Sequence, residues 1–149
     1  MLNFATGAPF ATGRARYFDH DIDAPEGTGK VFVRISTDGI EEPILAQLDT
    51  GAAWSIINAE VAEELGLLNG AGEVANLSTR HGAVRGRLES TTIKILADDG
   101  ATLDVEATVL VSEDWTEPTF LGYSGLLERI RFGLDPQAND FYFGGYQDG

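Results

Sequence analysis

Apolar and polar residues alternate along much of the chain with the period of a β-strand. In residues 30–36, Val31, Val33 and Ile35 fall on one face. Ile44, Ala46 and Leu48 do the same and run directly into Asp49. Residues 91–96 place Ile93 and Ile95 together. In the longest such stretch, Leu103, Val105, Ala107, Val109 and Val111 lie opposite Thr102, Asp104, Glu106 and Thr108. Between these last two strands, Asp98-Asp99-Gly100 predicts a hairpin turn, with a glycine free to take positive φ. Residues 131–134 and 140–143 predict two closing strands, joined by a turn that begins at Asp135-Pro136.

Two short segments break the period. Asn58 is placed to cap a helix over residues 59–65, with Gly66 as its stop and Val61 and Leu65 one turn apart on the inner side. Ser124 is placed to cap a second helix over residues 125–130, with Leu126, Leu127 and Ile130 apolar. The expectation is an all-β fold, small and closed, with two short helices. Its 149 residues suit one domain. Residues 1–29 are expected to form a partly mobile N-terminal segment with an edge strand, and residues 30–149 the body of the domain.

Charge and composition narrow the function classes. There are 24 acidic and 10 basic residues, a formal net charge of -14. Nucleic-acid binding, which needs clustered Lys and Arg, is disfavoured, and so is docking on an anionic membrane. The charge serves solubility first, and steering of basic peptides second. Without cysteine there are neither disulfides nor thiolate metal sites. No apolar run approaches the roughly 20 residues of a membrane span, and the first ten residues do not read as a signal peptide, so a cytoplasmic location is expected. Asp19, Asp21 and Asp23 imitate the start of a calcium loop, but Ala24 and Lys30 stand where glycine and glutamate are needed. The two histidines, His20 and His81, do not make a zinc site. No cofactor or metal is expected.

The segment that carries chemistry is Leu45-Ala46-Gln47-Leu48-Asp49-Thr50-Gly51-Ala52. An apolar strand delivers a carboxylate into a turn, and a charge at the end of a buried strand is costly unless it is paired or used. Thr50 supplies a hydroxyl that both donates and accepts. Gly51 lets backbone approach without a Cβ. Alone, such a tripeptide is most often an ordinary turn. Here Trp54-Ser55-Ile56-Ile57 follows as another strand, then the first helix. Far downstream come Phe120-Leu121-Gly122, the second helix, and the closing strands around Phe132-Gly133-Leu134-Asp135-Pro136 and Asp140-Phe141-Tyr142-Phe143.

This ordered set resembles the retropepsin-like aspartic peptidases, the single-lobe relatives of pepsin, over residues 42–143. The resemblance implies a retropepsin-like acid-protease barrel. It makes Asp49 the catalytic carboxylate. Thr50, Gly51 and Ala52 would support the active-site loop, with Thr50 bonding across a subunit boundary. Phe120, Leu121 and Gly122 would pack beneath that loop. Residues 77–88 would be a flap over the substrate, with Arg80, His81, Gly82 and Ala83 at its tip. The chemistry needs two carboxylates sharing one proton, one acting as base on a water and the other as acid on the scissile carbonyl. The chain contains a single Asp-Thr-Gly, so the second copy would come from a second chain, in a C2 homodimer acting on peptides. Three residues depart from relatives of this kind. Tyr123-Ser124 stands where many viral relatives carry Arg followed by Asp or Asn, and Ala52 lacks the hydroxyl found there in pepsin-like enzymes. The alternative is a retropepsin-like peptide-binding or interaction module without activity.

Overall fold

The central hairpin follows from its alternation. In the computed structural model, which describes residues 1–21, 23, 29–79 and 82–146, β2 (Val31–Thr37) and β3 (Ile40–Leu48) pair antiparallel from Val31↔Leu48 to Thr37↔Ile40. Val33, Ile35 and Ala46 are buried on the shared inner face. The expected pair of strands on either side of Asp98-Asp99-Gly100 is also present. β6 (Gly82–Ile95) runs antiparallel to β8 (Leu103–Val111), from Arg87↔Val111 to Ile95↔Leu103, and Gly100 adopts φ +80° in their connection. β6 is longer than the sequence pattern suggests, because it joins the stretch read as a hairpin arm to the strand at 91–96 without a break.

These strands belong to a seven-stranded sheet of order β2-β3-β9-β4-β8-β6-β5, where β4 is Ser55–Ile57, β5 Val74–Thr79 and β9 Phe120–Leu121. The sheet curls so that β2 also pairs with β6, Ile35 opposite Ile95. Val33, Ile35, Ile57, Ile93, Ile95, Val105, Ala107 and Val109 fill the main core inside the curl, where burial of each valine or isoleucine contributes roughly 1.5–3 kcal/mol. A smaller core of Ile56, Leu77, Leu110 and Trp115 lies on the other side of β4 and β8. This explains why all three residues of β4 are buried. It also explains why the polar face of β8 turns apolar at Leu110.

A second sheet of order β10-β11-β1-β7 gathers both ends of the chain, with β1 Gly13–Arg16, β7 Asp99–Gly100, β10 Ile130–Asp135 and β11 Asp140–Gly145. Phe141 and Phe143 of β11 enter the main core. The Asp135-Pro136 turn forms as expected, with Asp135 Oδ1 accepting from Gln137 N at 3.1 Å.

The first helix forms as α1 (Ala59–Glu64). Asn58 Oδ1 accepts from Glu60 N at 2.9 Å, and Gly66 ends the helix at φ +71°. The buried residue of α1 is Ala62, with Val61 packed at the core margin. The second expected helix is reduced to a 3₁₀ turn over Leu127–Arg129, and the Ser124 side chain does not cap it. The cause is tertiary. Gly125 sits at φ +81°, its carbonyl accepts from Thr108 N at 3.0 Å, and a Cβ there would lie 2.4 Å from Thr108 O. The residues that would open a helix are held against β8 instead.

Asp98 ties the two sheets together. Its Oδ2 accepts from Arg16 N at 2.7 Å, its own N donates to Arg14 O at 2.8 Å, and Oδ1 pairs with the Arg34 guanidinium. The Arg16 amide does most to hold the Asp98 carboxyl below the usual range; burial opposes it, and Arg34 and then Arg14 add to the lowering. A depressed folded value stabilises the native state above the unfolded value near pH 4, and that contribution is lost as pH falls through the folded value. Asp98→Asn should therefore cost about 1 kcal/mol at neutral pH, a figure reduced for solvent screening of a partly exposed pair. Denaturant melts should show the difference between the two proteins shrinking below about pH 4. A difference that persists undiminished in acid would mean that the charge is not the cause.

Candidate active site

Asp49 stands at the first position beyond β3, and the neighbouring strands dictate the shape of its loop. β9 is inserted between β3 and β4, parallel to the first (Gln47↔Phe120, Leu48↔Leu121) and antiparallel to the second (Ile56↔Phe120). Residues 49–54 therefore have to cross over the end of β9. Asp49 N donates to Leu121 O at 2.9 Å, Tyr123 N to Ala52 O at 2.9 Å, and Ser124 N to Ala53 O at 2.9 Å. Gly122 N donates to the buried Ser55 Oγ at 2.8 Å. The loop and the segment 121–124 are thus zipped side by side, and Phe120, Leu121 and Gly122 lie against the Asp49 loop.

One glycine makes this crossing possible. A Cβ on Gly122 would lie 2.4 Å from both the carbonyl carbon and oxygen of Trp54, so no other residue fits without moving backbone. Gly51 N donates to Asp49 Oδ1 at 3.0 Å, which orients the carboxylate over its own turn. Ala52 N closes the turn on Asp49 O at 3.2 Å. Asp49 is half-buried, and Thr50 and Gly51 are exposed.

Asp49 opens into a cleft of about 420 Å³ lined by Gln47, Gly51, Ala52, Leu77, Ser78, Thr79 and Phe120. Leu77, Ser78 and Thr79 belong to β5, whose hairpin with β6 runs in register from Val74↔Arg87 to Thr79↔Gly82. Gly82 and Ala83 begin β6 and are exposed, with Gly82 at φ +105°. Arg80 and His81 lie outside the described residues. The arrangement presents one oriented carboxylate in a cleft bordered by one strand of a two-stranded hairpin. Among the described residues, no cluster of three or more His, Asp or Glu side chains is placed to hold a metal ion.

The family model described as gag-polyprotein putative aspartyl protease matches residues 34–128, which spans the Asp49 loop, the hairpin and the Phe120-Leu121-Gly122 segment. The chain belongs to that aspartyl protease family. Its fold is retropepsin-like. The crystal structure of a retropepsin-like aspartic protease from Rickettsia conorii superposes with a TM-score of 0.54 at 19% identity, covering 88% of this chain and 89% of that one. The retroviral protease-like domain of Ddi1 from Leishmania major is also similar, with a TM-score of 0.48 at 18% identity over 80% of this chain and 95% of that one. No curated protein matches the chain.

Two site residues of this family member escaped the reading of its sequence. Ser55 gives the buried acceptor for Gly122 N, and its signal was a lone hydroxyl between Trp54 and Ile56-Ile57 in a strand buried on both faces. Gln47, near the end of β3, lines the cleft two residues before Asp49. A polar residue in an otherwise apolar approach to the carboxylate was the signal there. No helix among the described residues is long and apolar enough to cross a membrane.

Proposed function

We propose that this protein is a homodimeric aspartic endopeptidase in which Asp49 from each of two chains activates one water. The observation that carries the reading is the single oriented carboxylate on the floor of the cleft, in a chain of the aspartyl protease family with one Asp-Thr-Gly. One carboxylate cannot be base and acid at once. Two, about 3 Å apart on a two-fold axis, share a proton and divide those roles. The ionised carboxylate takes a proton from the water, the oxygen attacks the scissile carbonyl, and the protonated carboxyl donates to the carbonyl oxygen. Thr50, exposed beside Asp49, supplies a hydroxyl for bonds across the dimer, while Gly51 and Ala52 shape the loop. The substrate lies extended, its backbone pairing with strand edges and its side chains filling alternate pockets. A peptide-pool digest comparing wild type with Asp49→Asn tests this. The departure at Tyr123-Ser124 favours a second reading, a peptide-binding module, for which a wild type that binds peptides and cleaves none would be the sign.

In the same reading the β5–β6 hairpin, with Gly82 and Ala83 at the start of β6, is the flap. Residues 82–86 pair with β5 alone, since the β8 pairing begins at Arg87. A two-stranded ribbon is marginal by itself, so this arm is suited to opening for substrate. Amides of residues 77–79 and 82–86 should exchange with solvent at least about tenfold faster than those of Leu103–Val111 in the unliganded protein. Equal protection of the two would remove the flap assignment.

A further inference from the structure

Gln47 and Phe120, which line the Asp49 cleft, also line a second cavity of about 330 Å³ whose other walls are Asp21, Lys30, Phe32, Glu117 and Pro118. The floor is apolar and partly aromatic, through Phe32, Phe120 and Pro118. The charged residues are two carboxylates and one ammonium. Both sides of the cavity are braced. Trp115 Nε1 donates to Pro118 O at 3.0 Å, and Asn58 Nδ2 donates to Thr116 O at 3.2 Å and Glu117 O at 3.0 Å, which fixes the loop that carries Glu117. Opposite, Phe18 and Phe32 exchange both backbone hydrogen bonds, at 3.0 and 2.7 Å, and so anchor the segment leading to Asp21.

We propose that this cavity receives a basic side chain of the peptide, arginine or lysine, close to the scissile bond. The inference rests on the aspartic-peptidase reading, and in a C2 dimer the cavity occurs once on each side of the cleaved bond. A long aliphatic stem covers Phe32, Pro118 and Phe120 while the cationic head remains near the charged rim. A guanidinium also gains from the aromatic faces. Asp21 and Glu117 outnumber Lys30, and the whole chain carries -14, so local and long-range fields both favour a cation. An acidic side chain meets the opposite balance, and an aliphatic one fills the walls without meeting the charge. Lys30 opposes the preference and provides the internal control.

The test uses decapeptides with arginine, or its uncharged isostere citrulline, walked through each position. Binding is measured on the Asp49→Asn variant of the 149-residue chain by fluorescence anisotropy, so that affinity is read without turnover. Arginine should bind about three- to fivefold tighter than citrulline at one or two positions, the size an exposed ion pair supplies. The ratio should fall towards one in Glu117→Gln, rise in Lys30→Gln, and shrink at high salt. Equal binding of the two series at every position, an unchanged ratio in Glu117→Gln, or no peptide binding at all would overturn the proposal. Turnover of the same peptides by wild type is scored separately. A preference that stands without any turnover counts against the peptidase reading, and turnover without any preference counts against the cavity's assignment alone.

Discussion

Asp49→Asn should abolish peptide hydrolysis, lowering the rate by about a thousandfold or more, while leaving the fold intact. Asparagine is close to isosteric with aspartate, but it neither accepts a proton from water nor shares one with a partner carboxylate. The structure explains why folding should survive. The contact that orients the side chain is a hydrogen bond from Gly51 N to Oδ1, and an amide oxygen accepts it as a carboxylate oxygen does. Asp49 is half-buried and makes no ion pair among the described residues, so removing its charge leaves no partner stranded. Circular dichroism and thermal melts should match wild type within a few degrees, a shift of about 1 kcal/mol or less. Turnover retained by a preparation free of host proteases would remove Asp49 from the chemistry.

Gly122→Ala should destabilise the protein by about 3 kcal/mol, the upper range for forcing a methyl group into a packed interior. The added Cβ would lie 2.4 Å from the Trp54 carbonyl carbon and oxygen and 2.7 Å from Ser55 N, all of them backbone atoms. Relief requires β9 to part from β4. That would break the bond from Gly122 N to Ser55 Oγ and leave two buried polar groups without partners. It would also shift the segment that accepts from Asp49 N and donates to Ala52 O, and with it the carboxylate. A displacement of about 1 Å at such a site costs on the order of a hundredfold in rate. Stability and activity should therefore fall together, unlike in Asp49→Asn, where activity falls alone. A Gly122→Ala protein with wild-type stability would mean that the crossing is looser than its contacts indicate.

The regular strands were legible because one face of each is buried and the period of two then writes itself into the sequence. Val31, Val33 and Ile35, or Val105, Ala107 and Val109, could hardly be read otherwise. The position of Asp49 at the end of such a strand, the Asn58 cap and the Gly66 stop were legible for equally local reasons. What local pattern could not reveal was long-range. β9 is two residues long, too short to show a period, yet it threads between β3 and β4 and sets the course of the Asp49 loop. The helix expected at 125–130 had a cap, an apolar face and a favourable length. It yielded to the pairing of Gly125 with Thr108 on β8, a contact across the fold that no window of neighbouring residues contains. Ser55 and Gln47 were missed for the same reason, since their partners or cavities are assembled from distant segments.

The central claim is that the active site is shared between two chains, and subunit mixing tests it most directly. Wild type and Asp49→Asn would be exchanged into mixed dimers at constant total protein, and peptide hydrolysis followed as the wild-type fraction is varied. If both carboxylates are needed, only dimers with two wild-type chains work, and activity falls as the square of that fraction, to about a quarter at equal mixing. A linear fall, to about half at equal mixing, would show that one chain suffices and would contradict the account.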